Sequence, residues 1–418
     1  MMLATLIFVI TYGVIVTERV HRTTAALVGA VAMLLAGRLT QDEAFRAIDL
    51  NVIFLLAGMM IIADLTRETG IFQWLAIKAV KLARGDPFRI LVMLSVLTAG
   101  ASALLDNVTV VVLVGPLTLL MANSLQVSPA PFLIAEILAS NIGGAATLIG
   151  DPPNLLIGSA ADLDFADFLV HMAPVSLLIL AVFLITAWFL FKHELESDPA
   201  GRATVLEMDE REVIGDRKLL RQCIVVIALT LIGFLVHGAL GLEPATVALS
   251  GAALLLLWTR RDPYETLREV EWTTLFFFVG LFIVVEGVVK AGLIDWLARG
   301  LLAATQGQLA LTTIILLWLS AILSGIVDNI PYTATMIPLV KDMGQFMPIE
   351  PLWWALALGA DLGGNATLVG ASANVVIASL AERGGVPISF RKFLKYGLIV
   401  TFESMLIATV YVWLRYLR

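Results

Sequence analysis

Cysteine is nearly absent: the 418-residue chain has one, Cys223. A lone thiol forms no intrachain disulfide and builds no thiolate metal centre by itself. Its position near the start of an apolar run reads as a small buried residue. The histidines number four, and His21, His171, His193 and His237 show no metal-ligand spacing. The dipeptide Gly-Lys does not occur, so there is no GxxxxGK[ST] phosphate loop and no ATP hydrolysis of that kind. HExxH is missing as well, and no nucleophile–base pair stands out, which argues against an intramembrane enzyme. Charge is scarce: 15% of residues are Asp, Glu, Lys or Arg, against about 25% in soluble proteins. That is too few to cover a globular surface. The net charge of −7 and the lack of a basic run exclude nucleic acid as a partner.

What remains is apolar. Hydrophobic residues make up 59% of the chain, and mean hydropathy is +0.93. The composition is that of a polytopic all-α membrane protein, long enough for about ten spans of ~20 residues with short loops. Apolar runs cover 1–16, 24–37, 52–63, 88–105, 108–121, 131–149 and 172–191. They resume at 224–236, 245–258, 273–289, 311–327, 330–339, 351–369 and 396–413. No small-residue cleavage site follows the first run, which reads as a span and not as a signal peptide. Between the two sets lies the only long polar stretch, 192–221, with six Lys/Arg and eight Asp/Glu.

The second set resembles the first. At an offset of 222, Phe54 matches Phe276, Gly58 matches Gly280, Asp64 matches Glu286, and Trp74-Leu75-Ala76 matches Trp296-Leu297-Ala298. Asp106-Asn107 and Pro116-Leu117 match Asp328-Asn329 and Pro338-Leu339. After a two-residue slip, 141–154 aligns with 361–374 at seven identities in fourteen, where chance gives about one. Residues 1–191 are therefore read as a first transmembrane repeat, 192–221 as a cytoplasmic linker and 222–418 as a second repeat.

Two segments in each half depart from ordinary spans. Residues 88–121 are apolar except for Asp106-Asn107 near the middle, which suggests a re-entrant hairpin with a polar tip and arms short for a crossing. Residues 141–154 hold three glycines and two prolines, a composition that breaks a membrane helix. The second half repeats both features at 330–339 and 363–374. Each half then crosses about five times, an odd number, so the halves are expected to be inverted. With the linker in the cytoplasm, 20 of the 27 basic residues, Arg22 among them, fall inside and 7 outside, and both termini lie outside. Residues 72–84 read as an interfacial amphipathic helix, with a mate at 294–302.

Acids inside spans are costly and usually functional. Asp106, Asp328, Asp151 and Asp361 all fall in the hairpin tips and breaks, each near an amide: Asn107, Asn329, Asn154 and Asn365. With Asn141, Asn374 and the hydroxyls of Thr109, Thr147 and Thr367 they make an all-oxygen and amide site for substrate or ion. The four aspartates are the candidate proton carriers, since a buried carboxyl group can exchange a cation for a proton. Asp151 has Ala371 as its mate and Asn365 has Ala145, so the half-sites are expected to do unequal work. Asp64 and Glu286 read as helix-end or gating acids, and Glu136 and Glu403 as relays or packing contacts. No metal site, cofactor or catalytic residue is expected.

The words Leu104-Leu105-Asp106-Asn107-Val108-Thr109 and Asn-Ile-Gly-Gly-Ala-Ala-Thr-Leu-Ile-Gly-Asp-Pro-Pro-Asn at 141–154 resemble the signature of the ion transporter superfamily. The nearest branch joins ArsB-type arsenite permeases, NhaD-type sodium/proton antiporters and the melanosomal P protein, and the words are most similar to those of the P protein. The resemblance spans essentially the whole chain. It implies an inverted-repeat transporter with hairpins and broken helices around a midplane site. It also implies proton-coupled efflux of arsenite or antimonite across the inner membrane, and a soluble ATPase as a candidate partner. With one cysteine, arsenite has to be held by hydrogen bonds to its hydroxyls. Sodium/proton antiport is the alternative, with sodium as cargo. A dicarboxylate ranks low because neither core motif contains Lys or Arg, and a channel is a further, lesser reading.

Overall fold

The computed structural model describes residues 1–17, 19–195, 202, 206 and 213–418. Most of the polar linker at 192–221 lies outside the described residues. The first half runs α1 Met2–Thr17, α2 Arg22–Leu35, α3 Gln41–Arg46, α4 Leu50–Glu68, α5 Ile71–Leu82, α6 Pro87–Ser102, α7 Asn107–Ser124, α8 Ala130–Gly144, α9 Pro152–Ala161, α10 Phe165–His171 and α11 Ala173–Phe191. The second half follows the same order: α12 Arg217–Leu240, α13 Pro244–Thr259, α14 Pro263–Arg268, α15 Trp272–Lys290, α16 Leu293–Thr305, α17 Leu309–Val327, α18 Asn329–Met343, α19 Glu350–Gly363, α20 Ser372–Arg383 and α21 Phe390–Val412. Every helix of the first half except α10 has a mate in the second. No strand occurs among the described residues.

Seven helices are long and apolar enough to cross a membrane, and five shorter apolar helices accompany them. Both hairpins form as antiparallel pairs, α6–α7 and α17–α18. One arm in each is longer than the sequence suggested: α7 has 18 residues and α17 has 19, enough to cross by length and composition. Both breaks form too. α8 ends at Gly144 and α9 resumes at Pro152, while α19 ends at Gly363 and α20 resumes at Ser372. Gly and Pro set the limits: Pro152 removes an N–H where a helix start has none to place, and the glycines let backbones close. The expected amphipathic pair appears as α5 and α16.

Helix directions follow from residue contacts. A Cβ on Gly58 would touch Ala248 and one on Gly251 would touch Ile62, so α4 and α13 run parallel. Gly280 meets Ala26 and Gly287 meets Met33, so α15 and α2 run parallel. Arg67, at the end of α4, pairs with Glu269 just before α15, and Lys290, at the end of α15, pairs with Glu43 just before α4. The repeat mates α4 and α15 therefore run antiparallel. The hairpin arms α6 and α17 pack their small residues against α8 and α19, and this packing places the hairpin tips beside the breaks.

Candidate functional site

The hairpin tips are built by capping. The Asp106 carboxylate accepts from the backbone N–H of Val108 (2.9 Å) and Thr109 (3.1 Å) and from the Thr109 hydroxyl. It is a complete N-cap for α7. Asp328 caps α18 through Ile330 N–H (3.0 Å) and also accepts from Ser372 Oγ (3.1 Å). The two tips differ in backbone: Asp106 has φ −63°, whereas Asp328 has φ +81°, a strained conformation for a residue with a side chain. Capping makes structural anchors of two of the four expected acids. The sequence offered a signal for this, since Asp-x-x-Thr and Asp-x-x-Pro precede apolar helices.

The threonines tie tips to breaks. Thr147 Oγ1 donates to the carbonyl of Ala103 (2.5 Å), and its mate Thr367 donates to that of Gly325 (2.6 Å). Asn329 N–H also donates to Gly370 O (3.1 Å). Asn154 and Asn374 stitch the breaks internally. Asn154 Nδ2 donates to the Thr147 carbonyl (3.0 Å), and Asn374 Nδ2 donates to those of Gly364 (2.7 Å) and Thr367 (2.8 Å). Carbonyls freed by the broken helices thereby gain partners, as a low-dielectric surrounding requires.

Between the tips lies a buried cluster of amides and acids. Asp151, 1% exposed, accepts from Asn107 Nδ2 (3.0 Å) of one tip and Asn329 Nδ2 (3.1 Å) of the other. Asn107 also donates to Asn141 Oδ1 (3.3 Å). Asn141 Nδ2 crosses to the second half, donating to Asn365 Oδ1 (2.9 Å) and Asn374 Oδ1 (3.0 Å). Asp361 is fully buried, and neither of its oxygens receives a hydrogen bond. The structure thus brings together Asn107, Asn141, Asp151, Asn154, Asn329, Asp361, Asn365 and Asn374, and it sets Asp106, Asp328, Thr109, Thr147 and Thr367 at the rim in anchoring roles. Glu136 and Glu403 lie outside, bonded to Thr118 (2.5 Å) and Thr186 (2.6 Å). Asp64 pairs with Arg67.

One residue escaped the sequence reading. Arg22, counted there among surface basics, sits 3.7 Å from Asp328, donates to Ser372 Oγ and stands over the ring of Phe277. A cation is therefore present at the rim, where the motifs alone showed none. The available signal was the length of α2: fourteen residues are too few for a full crossing, so its first turn starts at depth.

Two cavities are related by the repeat. One, of about 240 Å³, is lined by Ile15, Val16, His21, Arg22, Phe277 and Val375. The other, of about 300 Å³, is lined by their mates His237, Gly238, Glu243, Pro244, Leu55 and Leu155. The first reaches the tip acid Asp328. The second does not reach Asp106, the mate of Asp328, and instead meets Asp162 and Asp164. A third void of about 20 Å³ lies between the tips, against Asp106, Asn107, Asp151, Glu271, Asn329 and Arg22. It has room for about one water.

Comparison with known proteins agrees with this architecture. The family model described as CitMHS, citrate transporter, matches residues 12–359. An uncharacterised transporter of Mycobacterium tuberculosis is 47% identical, covering 99% of this chain and 98% of that protein. A 46 kDa membrane protein of Mycobacterium leprae is 44% identical over 99% of both. The P protein of Sus scrofa is 34% identical over 96% of this chain and 58% of its own length. The solved structure of the Alcanivorax borkumensis YdaH transporter shares the fold, with a TM-score of 0.58 at 16% identity, covering 92% of this chain and 88% of that one. The protein is a multi-pass membrane transporter and not an enzyme, and the chain belongs to the CitMHS citrate transporter family of the ion transporter superfamily.

Proposed function

We propose that the protein is a secondary active transporter that exports arsenite or antimonite in exchange for protons. The observation that carries this reading is the composition of the buried cluster. Six asparagines meet Asp151 and Asp361, with Asp106, Asp328 and Glu271 at the rim and, among the described residues, only Arg22 as a facing cation. Such a wall offers donors and acceptors to an uncharged trihydroxide and repels a polyanion. The family description names citrate, but citrate at this cluster would meet five acids and one guanidinium already paired with Asp328. Cys223 is buried on α12, within reach of Thr66 on α4 and outside the cluster, so a thiolate does not hold the cargo.

The inverted relation of the halves, supported by the antiparallel course of α4 and α15, supplies a mechanism for alternating access. One cavity touches its hairpin tip, and its mate stops short. The void between the tips holds about one water and is too small for an arsenic trihydroxide, so the tips part to admit it. The distribution of basic residues puts the linker and the cavity at Arg22 on the cytoplasmic side of the inner membrane and both termini outside. Sodium/proton antiport is the second reading, favoured by the same oxygen-rich wall.

The test is a panel of arsenite, antimonite, sodium and lithium in proteoliposomes of the purified full chain, each with a proton-sensitive dye. Arsenite movement against its gradient, driven by an imposed pH difference and with no other protein present, is expected. Proton exchange with sodium and indifference to arsenite would replace the first reading by the second. Arsenite flux only on addition of a soluble ATPase would show that the carrier works with such a partner. Flux that never exceeds the substrate gradient would identify a channel.

A further inference from the structure

The two halves treat one hydrogen bond differently. In the first, Asn141 Nδ2 donates to Asn374 Oδ1 at 3.0 Å. The repeat exchanges Asn141 for Asp361 and Asn374 for Asn154. The orientation of the Asn154 amide is fixed as that of Asn374 is, because its Nδ2 faces the carbonyls of Thr147 (3.0 Å) and Gly144 (3.4 Å). By the same repeat relation Asn154 Oδ1, the mate of the acceptor Asn374 Oδ1, falls to the Asp361 carboxyl group. That oxygen is buried and accepts nothing, and neither do the two oxygens of Asp361. The half that lacks the Asn141 amide hydrogen is thus the half that holds three unpartnered oxygens. Buried acceptors without a hydrogen are strongly disfavoured. Asp151 is in the opposite condition, holding two amide donors that suit its anion.

We propose that Asp361 is the site of the exchangeable proton: protonated, its O–H donates to Asn154 Oδ1 and reproduces the bond that Asn141 makes in the other half. The proposal rests on the transport reading above and assigns the proton to one of its four acids. The proton comes from water and returns to it, and no other bond changes. Loss of the proton leaves a bare carboxylate within electrostatic reach of Asp151, and like charges there repel. Asp151 is the anchor of both hairpin tips, so the repulsion acts on the elements that part. Of the elements packed on α19, α17 carries no titratable side chain. α18 brings Tyr332, bonded to Ser320, and has Lys341 and Asp342 near its far end and Asp328, facing Arg22, at its cap. α8 brings Glu136 and α9 has Asp151 at its cap. α21 brings Glu403, Tyr396 and Tyr411, with Arg391, Lys392 and Lys395 in its first turns.

The decisive measurement is infrared spectroscopy of the purified full chain across pH, read at the carbonyl stretch of protonated carboxyl groups. Asp361→Asn is expected to fold, since asparagine occupies the mate position, and to remove one such band from the wild-type spectrum. Asp151→Asn is expected to keep that band. An unchanged band in Asp361→Asn, or its loss in Asp151→Asn alone, overturns the assignment. No cargo is needed, so a failed arsenite panel does not bear on this result. In liposomes, pH-driven accumulation by Asp361→Asn is expected to fall to a ratio of about one. Full accumulation by this variant overturns the proposal.

Discussion

Replacing Gly143 by alanine tests how the first hairpin is held. A Cβ at that position would lie 2.1 Å from the carbonyl oxygen of Ala99 and 2.5 Å from its Cα. Both are backbone atoms of α6, so no side-chain rotation relieves the contact. Ordinary contact starts near 3.4 Å, so α6 and α8 have to separate by about 1 Å. Overpacking of this kind costs about 1–3 kcal/mol. The repeat supplies an independent copy of the experiment: a Cβ on Gly363 would meet Ala321 O at 2.4 Å and Ala321 Cα at 2.6 Å. It also supplies a control, because Gly100 on α6 has nothing within 4 Å of an added Cβ. Gly100→Ala is expected to be neutral or to stabilise by up to about 1 kcal/mol, the usual helix-interior gain. Thermal unfolding of the purified protein in detergent, followed by size-exclusion chromatography after heating, reads all three. Lower midpoints for Gly143→Ala and Gly363→Ala, and reduced transport, are expected. A Gly143→Ala protein as stable and active as Gly100→Ala would refute the close docking of α6 on α8.

Three further outcomes follow from the contacts described. Asp106→Asn keeps an N-cap and is expected to fold normally, whereas Asp106→Ala loses about 0.5–2 kcal/mol, measurable as a lower unfolding midpoint. Tyr12 joins α1 to the second hairpin through the Pro331 carbonyl (2.9 Å) and Thr335 Oγ1 (2.6 Å), so Tyr12→Phe is expected to cost about 0.5–1.5 kcal/mol by denaturation. Outside the membrane, the Lys290 ammonium group at 2.5 Å pulls the Glu43 carboxyl group down to about 2. A depressed folded value stabilises above the unfolded value of about 4.3 and is lost as pH falls through about 2. The midpoint gap between wild type and Glu43→Gln is therefore expected to be full at neutral pH and to close between those limits, and a gap that widens in acid would contradict the pairing.

The repeat was legible because its mates keep the same words, and the hairpin tips and breaks because polar or Gly/Pro residues interrupt apolar runs. Arg22 was not legible from any motif: its position depends on where a short helix begins in three dimensions. The capping of Asp106 and Asp328 is local, with donors two or three residues on, whereas the donor roles of Thr147 and Thr367 were visible as residue types but not as partners, because the accepting groups are backbone carbonyls more than forty residues away. Unequal half-sites were expected from the mismatched pairs Asp151/Ala371 and Asn365/Ala145. The form of the inequality, one acid with two donors and one with none, required the folded cluster.

The matched cavities imply that a second conformation is already written in the first. Giving each half the shape now held by the other would bring Asp106 to a cavity mouth and withdraw Asp328 from its own. The exchange is not a mirror of equals. At the mouth where Arg22 now latches Asp328 and Ser372, the mate residue is Pro244, which has no side-chain donor. The two gates would then differ in how long they stay shut, with the guanidinium latch on one side only. The resting preference for one face would reside in that difference while the gradients set the direction of net transport, so Arg22→Pro should shift the protein towards visiting both faces equally.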